Sequence, residues 1–398
     1  RKRTIRRPVR QTLAVATGHP WWIWLVLVAP PLILIAAVWD GTLPLGVPGE
    51  WTLGRVDFWP LVPWAMLPPL VVAAGYLVLV LVGARRLPIA EGREVHGWLS
   101  GLVLAGLVWV LTIQAFAPPT CGLEKSVTAL YHWWTSGYFS QAKLAERDLR
   151  AFLGEYEHGI STPKAGTRSS AWSLSETERV GHIGTHPPGL IVGYALLIHL
   201  FAHSPWLTEA VVASQPEAVR VYADALAEHP DGGAGPLLQS DRAVLWAASL
   251  ITHFLAIVLV VPLYFLLRRT CPPEASWRAV AFWPTVPSLA VFLPGSDALL
   301  PFFGITFLLF WFEGWARDSA ARSFVSGIVF WTGMFVSLAM LPAAVLAVAI
   351  TAWEGWICQP GQRPAAPGAK LLRAVAWAAL AVLLATNLLG AWSGIRLP

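Results

Sequence analysis

Long apolar runs constrain this chain more than any other feature of its sequence. Six runs have about the 20 residues that a helix needs to cross a bilayer, or more: residues 21–39, 61–83, 98–117, 243–267, 324–352 and 371–393. Shorter runs cover residues 187–203, 279–294 and 298–315. The pattern predicts an all-α, polytopic transmembrane helical bundle of about 8–10 hydrophobic helices, with a large extracytoplasmic loop that carries surface helices.

The composition excludes a soluble enzyme with an apolar patch. Only 13% of the residues are charged, against about a quarter in soluble domains, and 56% are hydrophobic. The mean hydropathy is +0.58. Many of the 23 Trp residues stand at the ends of apolar runs, where indole rings favour the membrane–water interface. We therefore expect an integral membrane protein.

A basic cluster precedes the first apolar run. The segment RKRTIRRPVR places basic residues just before residues 21–39, a pattern that orients a membrane protein with its basic side cytoplasmic. We expect residues 1–20 to be a basic cytoplasmic segment that contacts anionic lipid and not nucleic acid. Residues 21–398 are expected to form a single transmembrane domain, and residues 21–39 to be a retained helix instead of a cleaved signal peptide.

The loops predict a topology with one conflict. Acidic residues 40–60 read as external, basic residues 84–97 as cytoplasmic, and residues 118–186 as a large external loop containing an amphipathic stretch at 139–156. Strict alternation of the spans then places Arg268 and Arg269 outside and Asp297 inside. The positive-inside rule favours the reverse, which requires residues 187–203 to be re-entrant instead of a simple crossing.

The sharpest local motif is His182-Ile-Gly-Thr-His186-Pro187-Pro188-Gly189, which ends the long loop and opens an apolar run. Proline at the first helical position is favourable because its missing N–H needs no partner there. A rigid helix start next to His186 suits an anionic group such as phosphate, although the prolines could serve only to begin the helix. His182 and His186 lack a third metal ligand at an obvious spacing, so we assign no metal site.

These residues resemble the GT-C class of polyprenyl-phosphate-dependent glycosyltransferases, which includes protein O-mannosyltransferases and aminoarabinose transferases. The resemblance rests on Thr185–Gly189, on Ser136–Ala142, and on Asp297 in Pro294-Gly295-Ser296-Asp297. It implies sugar transfer from a polyprenyl-phosphate sugar at the external face of a bacterial inner or plasma membrane. It also implies an acidic residue of an external loop as base or substrate anchor, and no cofactor beyond the donor lipid.

Such a site needs a carboxylate to take the acceptor's proton and positive groups to stabilise the leaving phosphate. Glu50 is the first candidate for the base because Gly49 and Pro48 shape a turn that presents it beside Trp51. Asp297 is the second candidate, and its alternative role is to cap the next helix. The alternates for the base are Asp40, Asp57 and Glu124, and the candidate substrate contacts are His186, His182, Arg55, Tyr138 and Trp51.

Two other classes of protein stay open. A transporter or channel predicts charges deep within several spans and some internal symmetry, whereas the ionisable residues here concentrate in loops. A non-catalytic membrane scaffold leaves the His-Pro-Pro motif unexplained. His199 and His253 lie in apolar runs, where an interhelical hydrogen bond is the expected role. Oligomeric state, sugar and acceptor are left undetermined by the sequence.

Overall fold

The structure is a computed structural model. It describes residues 21–43, 46–47, 51–52, 63–118, 121–132, 135–146, 148–161, 186–228, 237–357 and 367–393. The chain divides into two compact units, Arg1–Leu61 and Val62–Pro398, which are described separately. Within its described residues, the first unit holds helix α1 (Trp21–Trp39) and a short antiparallel pair of strands, β1 (Gly46–Val47) and β2 (Trp51–Thr52).

The second unit is helical throughout its described residues. In chain order, its helices are α2 Pro63–Arg86, α3 Arg93–Ala115, α4 Lys125–Tyr131, α5 Tyr138–Ala145, α6 Leu149–Ser161, α7 Gly189–Ala202, α8 Pro205–Ala213, α9 Glu217–Glu228, α10 Gln239–Val258, α11 Val260–Leu267, α12 Pro273–Phe282, α13 Pro287–Phe292, α14 Leu300–Arg317, α15 Ala320–Val336, α16 Leu341–Ile357 and α17 Pro367–Ser393. Short 3₁₀ turns lie at Trp283–Thr285, Ser296–Leu299 and Leu338–Met340.

The prediction of an all-helical protein with membrane-spanning helices is confirmed. Among the described residues, five helices are long and apolar enough to cross a membrane, or up to six if the bent pair α7–α8 counts as one span. Apolar side chains cover the outside of these helices, as at Leu70, Leu104 and Leu388. A soluble fold buries such groups, so a lipid environment explains their exposure.

Two apolar runs are not the continuous spans that the hydropathy pattern predicted. Residues 324–352 divide at Ser337, whose backbone is extended, and the following turn begins a separate helix. Residues 279–294 divide into the end of α12, a 3₁₀ turn and α13. Pro284 and Pro287 lack the backbone N–H that a continuous helix would use there, so the run breaks at these points.

Basic side chains gather at one end of the helix bundle in the second unit, called here the basic end. The ring of His96, near the start of α3, lies 5.8 Å from the ring of Phe265, near the end of α11. Arg269 then pairs with Glu313 at 3.5 Å, which joins the end of α11 to the end of α14. The helix termini at this end carry Arg85, Arg86, Arg93, Arg268, Arg269, Arg317, Arg322, Lys370 and Arg373.

The opposite end, called the motif end, contains both His186 and Asp297. Residue Gly189, at the start of α7, lies against the backbone of Phe335, near the end of α15. The helices α5 and α10 also meet there, because Lys143 Nζ pairs with Asp241 Oδ2 at 2.7 Å. These contacts place the starts of α7, α10 and α14 together, opposite the basic end.

These contacts favour the charge pattern over strict alternation. Arg93 and Arg268 share the basic end, which strict alternation does not allow. The chain leaves the motif end in α7 and returns to it before α10. It does so through a bend of 106° between α7 and α8. Residues 187–203 are therefore not part of one straight membrane-spanning helix with α8, and their re-entrant path stays a prediction.

Candidate functional site

Tyr138 stands at the centre of the motif end, at the start of α5. Gly137, immediately before it, has φ of 70°, a left-handed conformation that glycine adopts without strain and that turns the chain into the helix. The Tyr138 side chain is 1% exposed. Its ring meets the ring of His186 edge-on, with 6.1 Å between the ring centroids. The side chains of Ser296 and Asp297 also lie close enough to its hydroxyl to influence its pKa.

His186 is half-buried and is held by its backbone as well as by its ring. The hydroxyl of Tyr156, on α6, donates a hydrogen bond of 2.8 Å to the carbonyl oxygen of His186. Pro188 is the N-cap of α7, so both prolines precede the helix and neither occupies its first position as the sequence analysis expected. The prolines still restrict the backbone directly after His186. The buried ring of Tyr138 and the restricted backbone after His186 therefore limit the positions that the His186 imidazole can take.

Asp297 completes this cluster from a third part of the chain. It lies in the 3₁₀ turn Ser296–Leu299, which begins after Gly295, and no side-chain hydrogen bond caps that turn. The next helix, α14, has Leu299 at its N-cap. The alternative role of Asp297 as a helix cap is therefore not observed. Its carboxylate is exposed, so an incoming molecule can reach it.

Burial keeps the phenols of the cluster neutral. The pKa of Tyr138 is raised to about 12, chiefly because the phenol is buried; the nearby Ser296 hydroxyl acts to lower it, and the Asp297 carboxylate acts to raise it. Burial, with a smaller contribution from Tyr138, also raises the pKa of Tyr156. A neutral phenol both donates and accepts hydrogen bonds. The cluster thus offers one accessible carboxylate, one imidazole and neutral hydroxyls.

Lys125 is a cation at the motif end that the sequence analysis did not single out. Its ammonium, on α4, donates a hydrogen bond of 3.0 Å to the carbonyl oxygen of Val291, at the end of α13. Burial lowers its pKa, while Cys121 and Glu124 act in the opposite direction. In the sequence, the signal for Lys125 was its position directly after the loop acid Glu124. That position does not show that α13 lies close to Lys125.

Glu124 is buried in the turn before α4. Its side chain is 5% exposed, and Oε1 accepts a hydrogen bond of 2.9 Å from the backbone N–H of Gly122. A carboxylate in this position stabilises the turn. Its role as an alternate base stays a prediction.

The remaining candidates lie in the first unit or outside the described residues. Glu50, Asp57, Arg55 and His182 are outside the described residues, and only the backbone of Trp51 is described, in β2. Asp40 is exposed, and its carboxylate accepts a 2.8 Å hydrogen bond from the backbone N–H of Thr42. The roles predicted for these residues stay predictions.

The two intramembrane histidines differ from each other. Nε2 of His253, on α10, lies 2.8 Å from Oε1 of Gln114, on α3, so the expected interhelical hydrogen bond is confirmed. His199 instead stacks on His203 one helical turn further along the chain, with ring centroids 4.2 Å apart. The ring contact of His199 is therefore with a residue close to it in the sequence and not with another helix.

No group of three or more His, Cys, Asp or Glu side chains that could hold a metal ion occurs among the described residues. A groove of about 280 Å³ lies between α2, α3 and α12, where Tyr76, Trp109 and Arg278 line it.

Comparisons with known proteins add no relative. No protein-family model, no curated protein and no solved structure matches this chain. The resemblance to GT-C glycosyltransferases rests on its short motifs alone.

Proposed function

We propose that the protein is a membrane glycosyltransferase that moves a sugar from a lipid-phosphate donor to an acceptor hydroxyl. The observation that carries the proposal is the convergence of Tyr138, His186 and Asp297 at one end of an apolar helical bundle. The motif resemblance named these three residues from separate segments of the chain. Tyr138 lies against both of the other residues, so the three form one cluster. Helix starts with unrelated roles would have no reason to meet in this way.

The chemistry assigns a role to each group. Asp297 accepts the proton of the acceptor hydroxyl as the acceptor oxygen bonds to the anomeric carbon of the sugar. The bond between that carbon and the phosphate oxygen breaks, and the electron pair leaves with the phosphate. His186 and the ammonium of Lys125 stabilise the developing negative charge, and the buried Tyr138 orients His186 and the Asp297 turn. Glu50 remains a second candidate for the base.

The distribution of charge supports an orientation. The basic end carries Arg and Lys at the termini of several spans, and the positive-inside rule places such an end in the cytoplasm. The motif end then faces outward, with α4, α5 and α6 in the large external loop at residues 118–186 and the N terminus in the cytoplasm. A lipid-phosphate headgroup at the outer membrane surface lies at the level of such a site.

A transfer assay tests the proposal. Purified protein in lipid vesicles receives a panel of radiolabelled polyprenyl-phosphate sugars, with the variants Asp297→Asn and His186→Ala in parallel. Asp297→Asn should lower kcat by about 10²–10⁴-fold, the contribution of a general base, and His186→Ala should weaken donor turnover. Glu217→Gln, which removes an exposed acid on α9, serves as the matched control and should leave kcat unchanged.

Two results would overturn the assignment. Full activity in Asp297→Asn, together with loss of activity in Glu50→Gln, would move the base to the first unit. Absence of both turnover and binding with every donor would leave a transporter, channel or scaffold as the function, and the His-Pro-Pro motif would then be only a device that starts α7.

A further inference from the structure

A buried polar chain runs from the middle of the bundle to the segment that carries Asp297. It begins at Gln114, near the end of α3, which is 2% exposed. Its Nε2 donates hydrogen bonds of 3.1 Å to the carbonyl oxygen of Ala290 and 3.2 Å to the carbonyl oxygen of Leu293. Both acceptors belong to the end of α13, a few residues before the Ser296–Leu299 turn.

The orientation of the Gln114 amide follows from these partners. Carbonyl oxygens accept hydrogen bonds and cannot donate them, so the NH₂ group must face α13 and Oε1 must face away. On that other side, Oε1 lies 2.8 Å from Nε2 of His253. Because an amide oxygen only accepts, Nε2 of His253 carries the hydrogen in this contact.

His253 is itself held by its own helix and by α4. Since Nε2 carries the hydrogen, Nδ1 is the acceptor nitrogen of the ring. The Ser249 hydroxyl lies 3.4 Å from Nδ1 and also bonds with the Ser126 hydroxyl at 2.9 Å. Ser126, Ser249 and His253 are each 1% exposed or less. A polar group buried among apolar side chains costs free energy unless it is hydrogen-bonded, so Gln114 and His253 stabilise each other's orientation.

The end of α13 depends on donors from outside the helix. The last carbonyl groups of any helix lack partners within it, and α13 has only six residues. Gln114 supplies hydrogen bonds to Ala290 and Leu293, and Lys125 supplies one to Val291. The carbonyls that precede the Asp297 turn are thus fixed by side chains of α3 and α4.

We propose that Gln114, oriented by His253, is a positioning residue that holds the Asp297 turn against Tyr138. The proposal rests on the proposed role of Asp297 as the base. Loss of the two hydrogen bonds from Gln114 frees the end of α13, and the turn after it then samples positions in which the carboxylate no longer faces the acceptor. A displacement of about 1 Å at a reacting group can lower a rate about 100-fold.

A fluorine label at the turn tests the proposal without reliance on enzyme activity. Cys121, Cys271 and Cys358 are replaced by Ser, and Asp297→Cys, an exposed position, is labelled with a trifluoromethyl reagent. The parent should give one narrow ¹⁹F resonance. Gln114→Leu and His253→Leu should split or broaden it, and His253→Gln should restore it because the new amide N–H can donate to Gln114 Oε1. Gln114→Glu, which keeps the acceptor and loses both donors, should behave as Gln114→Leu does.

The matched control is Thr252→Val. It removes a buried hydroxyl of α10 that bonds only the Ala248 carbonyl in the described contacts, at 2.9 Å, so the resonance should stay narrow.

In the transfer assay, with Asp297 intact, Gln114→Leu should lower kcat about 10- to 100-fold and change KM for the donor less than about 2-fold. An unchanged resonance in both Gln114 variants overturns the positioning role even if the protein transfers sugar. Absence of transfer by the parent overturns the proposed function, while the resonance still decides the positioning.

Discussion

Tyr138 joins the residues of the candidate site. Its ring contacts His186, and its hydroxyl region meets Ser296 and Asp297, so one buried side chain joins two segments that lie far apart in the sequence. A phenol that is buried and neutral cannot act as the base, which leaves that role to the exposed carboxylate. Tyr138 instead orients the groups around it.

The raised pKa of Tyr138 predicts a pH dependence of stability. Folding raises the pKa from its ordinary value of 10.0 to about 12, so the folded state favours the neutral phenol. The contribution of Tyr138 to the free energy of unfolding is fully present below about pH 10 and is lost as the pH rises toward 12. Tyr138→Phe removes this dependence, so thermal unfolding measured at about pH 9 and about pH 11 should show a smaller loss of Tm in the variant than in the parent.

Tyr222→Phe is the matched control, because Tyr222 is half-buried on α9 and outside the cluster. It should lose as much Tm as the parent over the same pH interval. An equal loss of Tm in the parent and in Tyr138→Phe would contradict the assignment of the shift to Tyr138.

At the scale of elements, the motif end depends on how closely α7 approaches α15. A Cβ atom on Gly189 would overlap the carbonyl oxygen of Phe335, so only glycine allows this packing. The same helix contains Gly193, where a Cβ atom would meet nothing within 4 Å. The glycine of the His-Pro-Pro-Gly motif is therefore explained by a contact with α15 and not by the conformation of its own backbone.

This contact predicts opposite effects of two glycine substitutions on one helix. Gly189→Ala should lower the free energy of unfolding by about 1–3 kcal/mol, because a backbone carbonyl cannot move aside as a flexible side chain does. Gly193→Ala should raise it by up to about 1 kcal/mol, because alanine favours the helix and finds open space. Thermal unfolding in detergent distinguishes the two, and equal effects would mean that α7 and α15 do not pack as described.

At the scale of the whole molecule, the second unit has two chemically different ends. Ion pairs such as Arg373 with Asp318, at 2.6 Å, tie the helices together at the basic end. At the motif end the pair of Lys143 with the buried Asp241 ties α5 to α10. Breaking a buried pair by removing one partner leaves an uncompensated charge. The Lys143–Asp241 pair therefore contributes more to stability than the exposed Arg373–Asp318 pair.

The two ends predict the outcome of labelling from each side of a membrane. With the native cysteines replaced by Ser, a single cysteine at Glu91, between α2 and α3, should react with an impermeant maleimide only from the side of the basic end. Cysteines at Asp148 and at Glu217 should react only from the opposite side. Reaction of the Glu91 and Glu217 positions from the same side would show that α7 and α8 cross the membrane as one span.

Much of this architecture could be predicted from the sequence because lipid imposes strong local rules. Apolar runs of about 20 residues predict spans, and the basic clusters favoured the arrangement of helix ends that the contacts support, although the sequence alone left the path of residues 187–203 unsettled. The His-Pro-Pro motif, Tyr138 and Asp297 could be named because prolines, glycines and isolated acids next to apolar runs are visible in a linear chain. The breaks at Ser337 and at Pro284–Pro287 were missed because hydropathy does not report the direction of the backbone.

The sequence by itself determined that this is a helical membrane protein, and which short segments carry polar groups at the ends of its spans. The tertiary structure decided which of those groups meet. Glu124 and Asp297 are both acids beside apolar runs, yet one is buried against a backbone N–H and the other is exposed beside Tyr138. Likewise, only packing shows that Gln114 reaches α13 and that Lys125 lies beside it. The physical reason is that hydropathy and helix signals act over neighbouring residues, whereas burial and hydrogen bonding depend on segments that the sequence places far apart.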